Sequence, residues 1–198
     1  MDESNNTIRL RGEMVSLPVY SHAGRFEKFY TFPLSVLRLS GTADTVNVTV
    51  RESLLQTEIT AGDKICVEGE VHSYNNKSGT GNKLVISVLA KSIAVCDGDD
   101  YNTVELYGTL CKNPNYRITP MGRDICDMMV AVNRRYGRSD YLPCIAWGSL
   151  AHTASALSVG QRVHIKGRLQ SRDYIKSVDG VPVQKTAYEI SASELTAE

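Results

Sequence analysis

A twelve-residue block of this chain occurs twice. Gly62–Ser73 returns as Gly160–Ser171, with Gly62, Gly69 and Ser73 recurring as Gly160, Gly167 and Ser171, at an offset of 98. A second block, Asn6–Gly12, returns as Asn102–Gly108 at an offset of 96. Two separated blocks displaced by nearly the same distance mean that a whole unit is duplicated. A period of about 97 residues is too long for a solenoid and suits two complete domains. The expected division is 1–96, a linker at 97–101, and 102–198. The linker, Asp97-Gly98-Asp99-Asp100, is short and acidic and has little to bury.

Each unit reads as β. In the second, Val104, Leu106, Gly108 and Leu110 alternate with Glu105, Tyr107 and Thr109, the mark of a half-buried strand. Asn113-Pro114-Asn115 and Pro120-Met121-Gly122 break the chain. Cys126 to Arg135 and Tyr141 to Trp147 are the next two strands, with a turn at Tyr136–Asp140 between them. Ser149 to Leu157 suits about two turns of helix. Val163, Ile165, Gly167 and Leu169 alternate along a fourth strand. A turn near Asp179-Gly180 leads to a fifth, Val183 to Ser193. Five strands with one short helix between the third and fourth is the order of an OB-fold, a small Greek-key barrel. The fold class expected is therefore all-β, two tandem OB-folds. Glycines inside strands, Gly12, Gly69, Gly108 and Gly167, suit the bends where such barrels close.

Formal net charge is zero, which at first argues against a nucleic-acid partner. The average hides an asymmetry. Residues 1–100 carry 10 Lys/Arg against 13 Asp/Glu, and residues 101–198 carry 12 against 9. Phosphate affinity depends on local patches, so the second half is the better candidate. No apolar run is long enough for a membrane-spanning helix, and the polar N-terminus lacks a signal-peptide core. Five dispersed cysteines without a C-x-x-C read as reduced thiols of a cytoplasmic protein. No histidine stands at metal-ligand spacing from a cysteine, so no metal or cofactor is expected. No nucleophile elbow, phosphate loop or zinc-protease motif appears, which argues against an enzyme.

Aromatic rings and arginines cluster in the second unit. Tyr136 and Tyr141 bracket the second hairpin, Trp147 ends the third strand, and Tyr174 falls in a polar loop after the fourth. Arg134, Arg135, Arg138, Arg168 and Arg172 flank them. Rings stack on bases and guanidinium groups hold phosphates, the pairing needed to grip an unpaired strand without reading its sequence. Each has a plainer reading: Trp147 as core, Tyr136 and Tyr141 as a cross-strand pair, the arginines as solvated surface. Tyr107 points outward on the first strand as a further candidate platform.

Residues 102–194 resemble the bacterial single-stranded DNA-binding proteins. The resemblance is carried by Val104–Leu110, Asn113-Pro114, Ala131–Arg134, Ala146–Ala151 and Val163–Arg172, in order and at family spacing. It implies base stacking at Tyr136, Tyr141, Trp147 and Tyr174, and basic contacts near Arg135 and at Arg172. It also implies an assembly of four barrels, hence a homodimer of this two-barrel chain, acting in replication, repair, recombination or plasmid transfer. Family members usually end in an acidic-tipped tail, whereas this sequence runs from its last strand into Ser193–Glu198, so recruitment through such a tail is not expected. In the first unit Ser40, Thr45, Arg51 and Asn76 stand where the second has Tyr136, Tyr141, Trp147 and Tyr174. Its own aromatics cluster at Tyr20–Phe32. Tyr30 and Phe32 are expected in its core, with Phe26 or Phe29 available for an interface. Two alternatives stay open: a protein-interaction module of a primosome-like or mobile-element assembly, and a single-stranded RNA binder.

Overall fold

The computed structural model describes residues 5–55, 58–76, 83–134, 137–178 and 180–198. Twelve strands run β1 (Asn6–Met14), β2 (Val19–Ala23), β3 (Lys28–Leu37), β4 (Ala43–Arg51), β5 (Lys64–Asn75), β6 (Leu84–Val95), β7 (Tyr101–Leu110), β8 (Asn115–Ile118), β9 (Asp124–Asn133), β10 (Ser139–Trp147), β11 (Arg162–Val178) and β12 (Val181–Ala197). A helix, α1 (Ser149–Ser155), separates β10 from β11, and a 3-10 turn at Glu52–Leu54 takes its place in the first unit.

The alternation read from the sequence is the alternation observed. Ile8, Leu10, Gly12 and Met14 of β1 face inward, as do Val104, Leu106 and Leu110 of β7. Each unit closes into a barrel by the same two joints. One is a bent first strand that folds onto β3 in the first unit and β9 in the second, Glu13 pairing with Ser35 and Thr109 with Ala131. The other is a short parallel contact, β4 with β6 and β10 with β12. Bulges fall before Gly69 and Gly167. A Cβ at Gly167 would run into the Ser191 carbonyl, and one at Gly69 into that of Leu89. These glycines therefore let two backbones approach where the strand kinks. Phe32 is fully buried and Tyr30 packs against the first core, whereas Phe26 is exposed.

The two barrels share one sheet. β1 and β7 pair antiparallel through six residues, from Asn6 with Leu106 to Arg11 with Tyr101. The 96-residue offset maps this pairing onto itself, so a pseudo-two-fold axis passes through the Ile8–Val104 pair. The connecting segment is anchored as well: Asp100 accepts the Leu37 N–H at 2.7 Å and pairs with Lys64, and Arg11 donates to the Asp99 carbonyl at 3.3 Å. Asp97, Gly98 and Asp99 are exposed and Asp100 is half-buried, so the segment is held by these polar contacts rather than by burial.

Two expectations change. Cys66 and Cys96 form a disulfide, Cα–Cα 6.0 Å apart, because β5 and β6 pair with Cys66 beside Ala94; Cys111, Cys126 and Cys144 are free. The fourth and fifth strands of the second barrel are 17 residues each, so Tyr174 lies on β11 opposite Lys185 rather than in a loop. Their distal part, 171–178 with 181–188, is a two-stranded ribbon, since β7 accompanies β11 only to Gly167 and β10 meets β12 at Ile190 and Ser191. Short strands β2 and β8 also occupy the sheet edges, β8 lying between the two chain breaks expected at Asn113–Asn115 and Pro120–Gly122.

Candidate nucleic-acid interface

Trp147 ends β10 opposite Ile125 of β9, and the residue is 39% exposed. Its position is fixed from behind. The next residue, Gly148, takes φ 57°, a left-handed turn that suits glycine, and its N–H donates to the Asp124 carbonyl at 2.9 Å. The Asp124 carboxylate in turn accepts from Tyr116 at 2.6 Å and lies 3.2 Å from His152 of α1. The Tyr116 hydrogen bond holds the Asp124 pKa below the ordinary carboxylate range and raises that of Tyr116 itself. The indole is thus seated on a braced edge rather than in the core.

In front of Trp147 lies an open groove of about 1120 Å³. Arg117 and Arg123 enter from the β8–β9 side, Arg168 and Arg172 from β11, and Arg38 from the first barrel. Among the described residues the only carboxylates lining it are Asp173 and Glu189. Asp173 is engaged by Thr186 at 2.6 Å, and Glu189 by Gln170 at 2.7 Å. The arginines divide into two kinds. Arg117 is committed to Asp127 at 2.8 Å and Arg38 to Asp44 at 2.7 Å. Arg123, Arg168 and Arg172 have no carboxylate partner among the described residues; Arg172 lies over the Tyr174 ring at 5.9 Å. Arg168 donates to the neutral Gln170 side chain at 3.4 Å. Three guanidiniums whose charge is not neutralised by a carboxylate among the described residues, set around an exposed indole, can neutralise phosphates while a base stacks.

The structure places the candidate residues unequally. Trp147, Arg168 and Arg172 share the groove. Tyr174 is half-buried on the ribbon beside Arg172, and Tyr141 is 50% exposed at the opposite end of β10, about 20 Å away by strand rise. Arg138 is exposed between β9 and β10. Arg135 and Tyr136 lie outside the described residues. Arg134 is spent elsewhere: it pairs with the fully buried Asp140 and donates to the Ser73 carbonyl of the first barrel at 3.0 Å. Tyr107 does not line the groove; its ring stacks on His164 at 4.0 Å. Arg117, Arg123 and Arg38 are the contributors that sequence reasoning missed. The first two sit in a stretch read only as chain breaks, although they flank the segment that leads into Ile125, the cross-strand neighbour of Trp147.

The equivalent spot of the first barrel is built differently. Arg51 occupies the Trp147 position and pairs with Glu27 at 3.7 Å. Phe29, across the strand from Arg51, stacks on His22 at 4.8 Å.

The family model described as the single-strand binding protein family matches residues 101–197. A single-stranded DNA-binding protein of Clostridium tetani is 34% identical over 101 residues, 48% of this chain and 68% of that protein. Single-stranded DNA-binding protein B of Bacillus subtilis is 34% identical over 93 residues, 43% of this chain and 81% of its own length. The chain spans from about half to four fifths of the lengths of the curated relatives it matches. Over the whole chain, the crystal structure of the wild-type single-stranded DNA binding protein from Thermus aquaticus superposes with a TM-score of 0.79 at 23% identity, covering 98% of this chain and 92% of that one. That likeness shows the fold.

Proposed function

The chain belongs to the single-strand binding protein family, and from that premise we propose that it binds single-stranded DNA independently of sequence, through the second barrel. The observation that carries the reading is the groove in which Trp147 stands among three arginines that have no carboxylate partner among the described residues. The indole offers a face to any base, and the arginines offer charge to any phosphate, so no base is read. Function is binding alone: a coated strand stays unpaired during replication, repair, recombination or plasmid transfer. The bacterial cytoplasm, where such strands arise, is the expected compartment. Among the described residues no helix is long and apolar enough to cross a membrane.

The expected assembly is a homodimer with four barrels. It rests on the family resemblance, in which four barrels assemble, and on the two barrels that this chain supplies.

Titration with oligo(dT), followed by Trp147 fluorescence at two salt concentrations, tests the reading. Quenching that weakens with salt is expected. Unchanged fluorescence, or affinity indifferent to salt, sinks it. A matched RNA oligomer in competition decides between sugars. Light scattering with and without oligo(dT) reports the assembly.

A further inference from the structure

The internal symmetry that joins the barrels also builds a reciprocal pair of buried carboxylates. Asp44 and Asp140 are equivalent by the 96-residue offset, and both are fully buried. Each is paired with the arginine six residues before it, Arg38 or Arg134. Each also reaches across to the serine at the start of the other barrel's hairpin. The Ser171 N–H donates to Asp44 at 2.7 Å, the Ser171 carbonyl accepts from Arg38 at 3.4 Å, and its hydroxyl accepts the Thr45 N–H at 3.1 Å. In the mirrored set, the Ser73 N–H donates to Asp140, its carbonyl accepts from Arg134 at 3.0 Å, and its hydroxyl accepts the Tyr141 N–H at 2.7 Å.

The reason lies in backbone accounting. Beyond the bulge at Gly167, β11 leaves β7, so the N–H and C=O groups on that edge lose their ladder partners. At Leu169 the side chain of Asn102 supplies both, at 2.9 and 2.6 Å. At Ser171 the first barrel supplies both, through Asp44 and Arg38. Ser171 is the root of the two-stranded ribbon carrying Arg172 and Tyr174. An isolated two-stranded ribbon is marginal in water, so its direction is set by what grips its root.

We propose that Asp44, on the barrel that lacks the stacking rings, is a positioning residue for the nucleic-acid grip of the other barrel: it fixes the root of the ribbon that presents Arg172 and Tyr174. This rests on the binding function proposed above. The first barrel thereby contributes to affinity without a stacking ring of its own in the groove.

The test compares Asp44→Asn with the symmetric Asp140→Asn in the full chain. Amide exchange is read without DNA on 171–175 and 183–187, and on 73–75 and 84–86. Asp44→Asn is expected to raise exchange mainly in the first pair of segments and Asp140→Asn mainly in the second. Oligo(dT) affinity of Asp44→Asn should fall roughly tenfold. Combined with Arg172→Ala and Tyr174→Ala it should fall by less than the product of the separate effects, because Asp44 acts through the segment bearing those residues. Equal loosening of both hairpins by both variants reduces Asp44 to a general stabiliser and overturns the proposal. So does unchanged exchange in 171–175, unchanged affinity, or full additivity. A wild-type chain that binds no oligonucleotide overturns the function and this inference together, and a surviving exchange contrast distinguishes that result from failure of the latch. If Asp44→Asn does not fold, Ser171→Ala removes only the shared hydroxyl and carries the same measurements with smaller effects.

Discussion

Arginines that look alike in the chain should behave differently in salt. Arg134 and Arg168 both lie in the basic half, yet Arg134 is bound to a buried Asp140 and Arg168 faces the groove with no carboxylate partner among the described residues. For a single strand, each phosphate contact contributes about 0.7 to the slope of log affinity against log salt. Three contacts, from Arg123, Arg168 and Arg172, give a slope of about −2, so raising salt from about 50 to 200 mM weakens binding roughly eighteenfold. Arg168→Ala should lower the magnitude of the slope to about 1.4 and the same loss to roughly sevenfold. Any contribution from Arg138 adds equally to both proteins. Arg134→Ala should leave the slope unchanged while lowering the melting temperature. It strands a fully buried carboxylate, a change that costs about 3–5 kcal/mol. The assay is a fluorescence titration with oligo(dT) across salt, paired with thermal melts. A flattened slope in Arg134→Ala with an unaltered one in Arg168→Ala would refute the division of the arginines into committed and free.

Other consequences of the geometry are open to direct measurement. Gly167→Ala should destabilise the second barrel by about 1–3 kcal/mol or more in denaturant, since the new methyl meets the Ser191 carbonyl and its Ala192 neighbour, which are backbone and cannot turn aside; a midpoint equal to wild type contradicts the close approach. Replacing Cys66 and Cys96 with Ser should cost roughly 3–4 kcal/mol, from the loop entropy of a 30-residue separation, and identical melts with and without the bond would show that it carries no such constraint. Burial works to raise the Glu70 pKa, but hydrogen bonds from Lys91 and His72 outweigh it and leave it lowered. The stability it contributes is therefore present above the ordinary carboxylate range and is lost as pH falls through the depressed value. Lys91→Ala should move the Glu70 titration upward by NMR, and an unmoved titration removes Lys91 as the cause.

Much of this protein is legible in the order of its residues. Strand positions follow from a period-2 pattern that each strand carries within itself, as at Val104–Leu110. The duplication follows from blocks that recur intact. Those signals are local, and burial and pairing reproduce them. The identity of the free cations is not local. Arg134 is removed from the binding face by Asp140 and by Ser73, which is 61 residues distant, and Arg117 and Arg123 reach the groove only because β8 folds back beside β9. The disulfide of Cys66 with Cys96 depends on a strand register, and the hold of Asp44 on Ser171 spans 127 residues and two barrels. A side chain's charge is written in the sequence. Whether that charge is spent on a neighbour or left for a ligand depends on which distant groups the fold brings within hydrogen-bonding range.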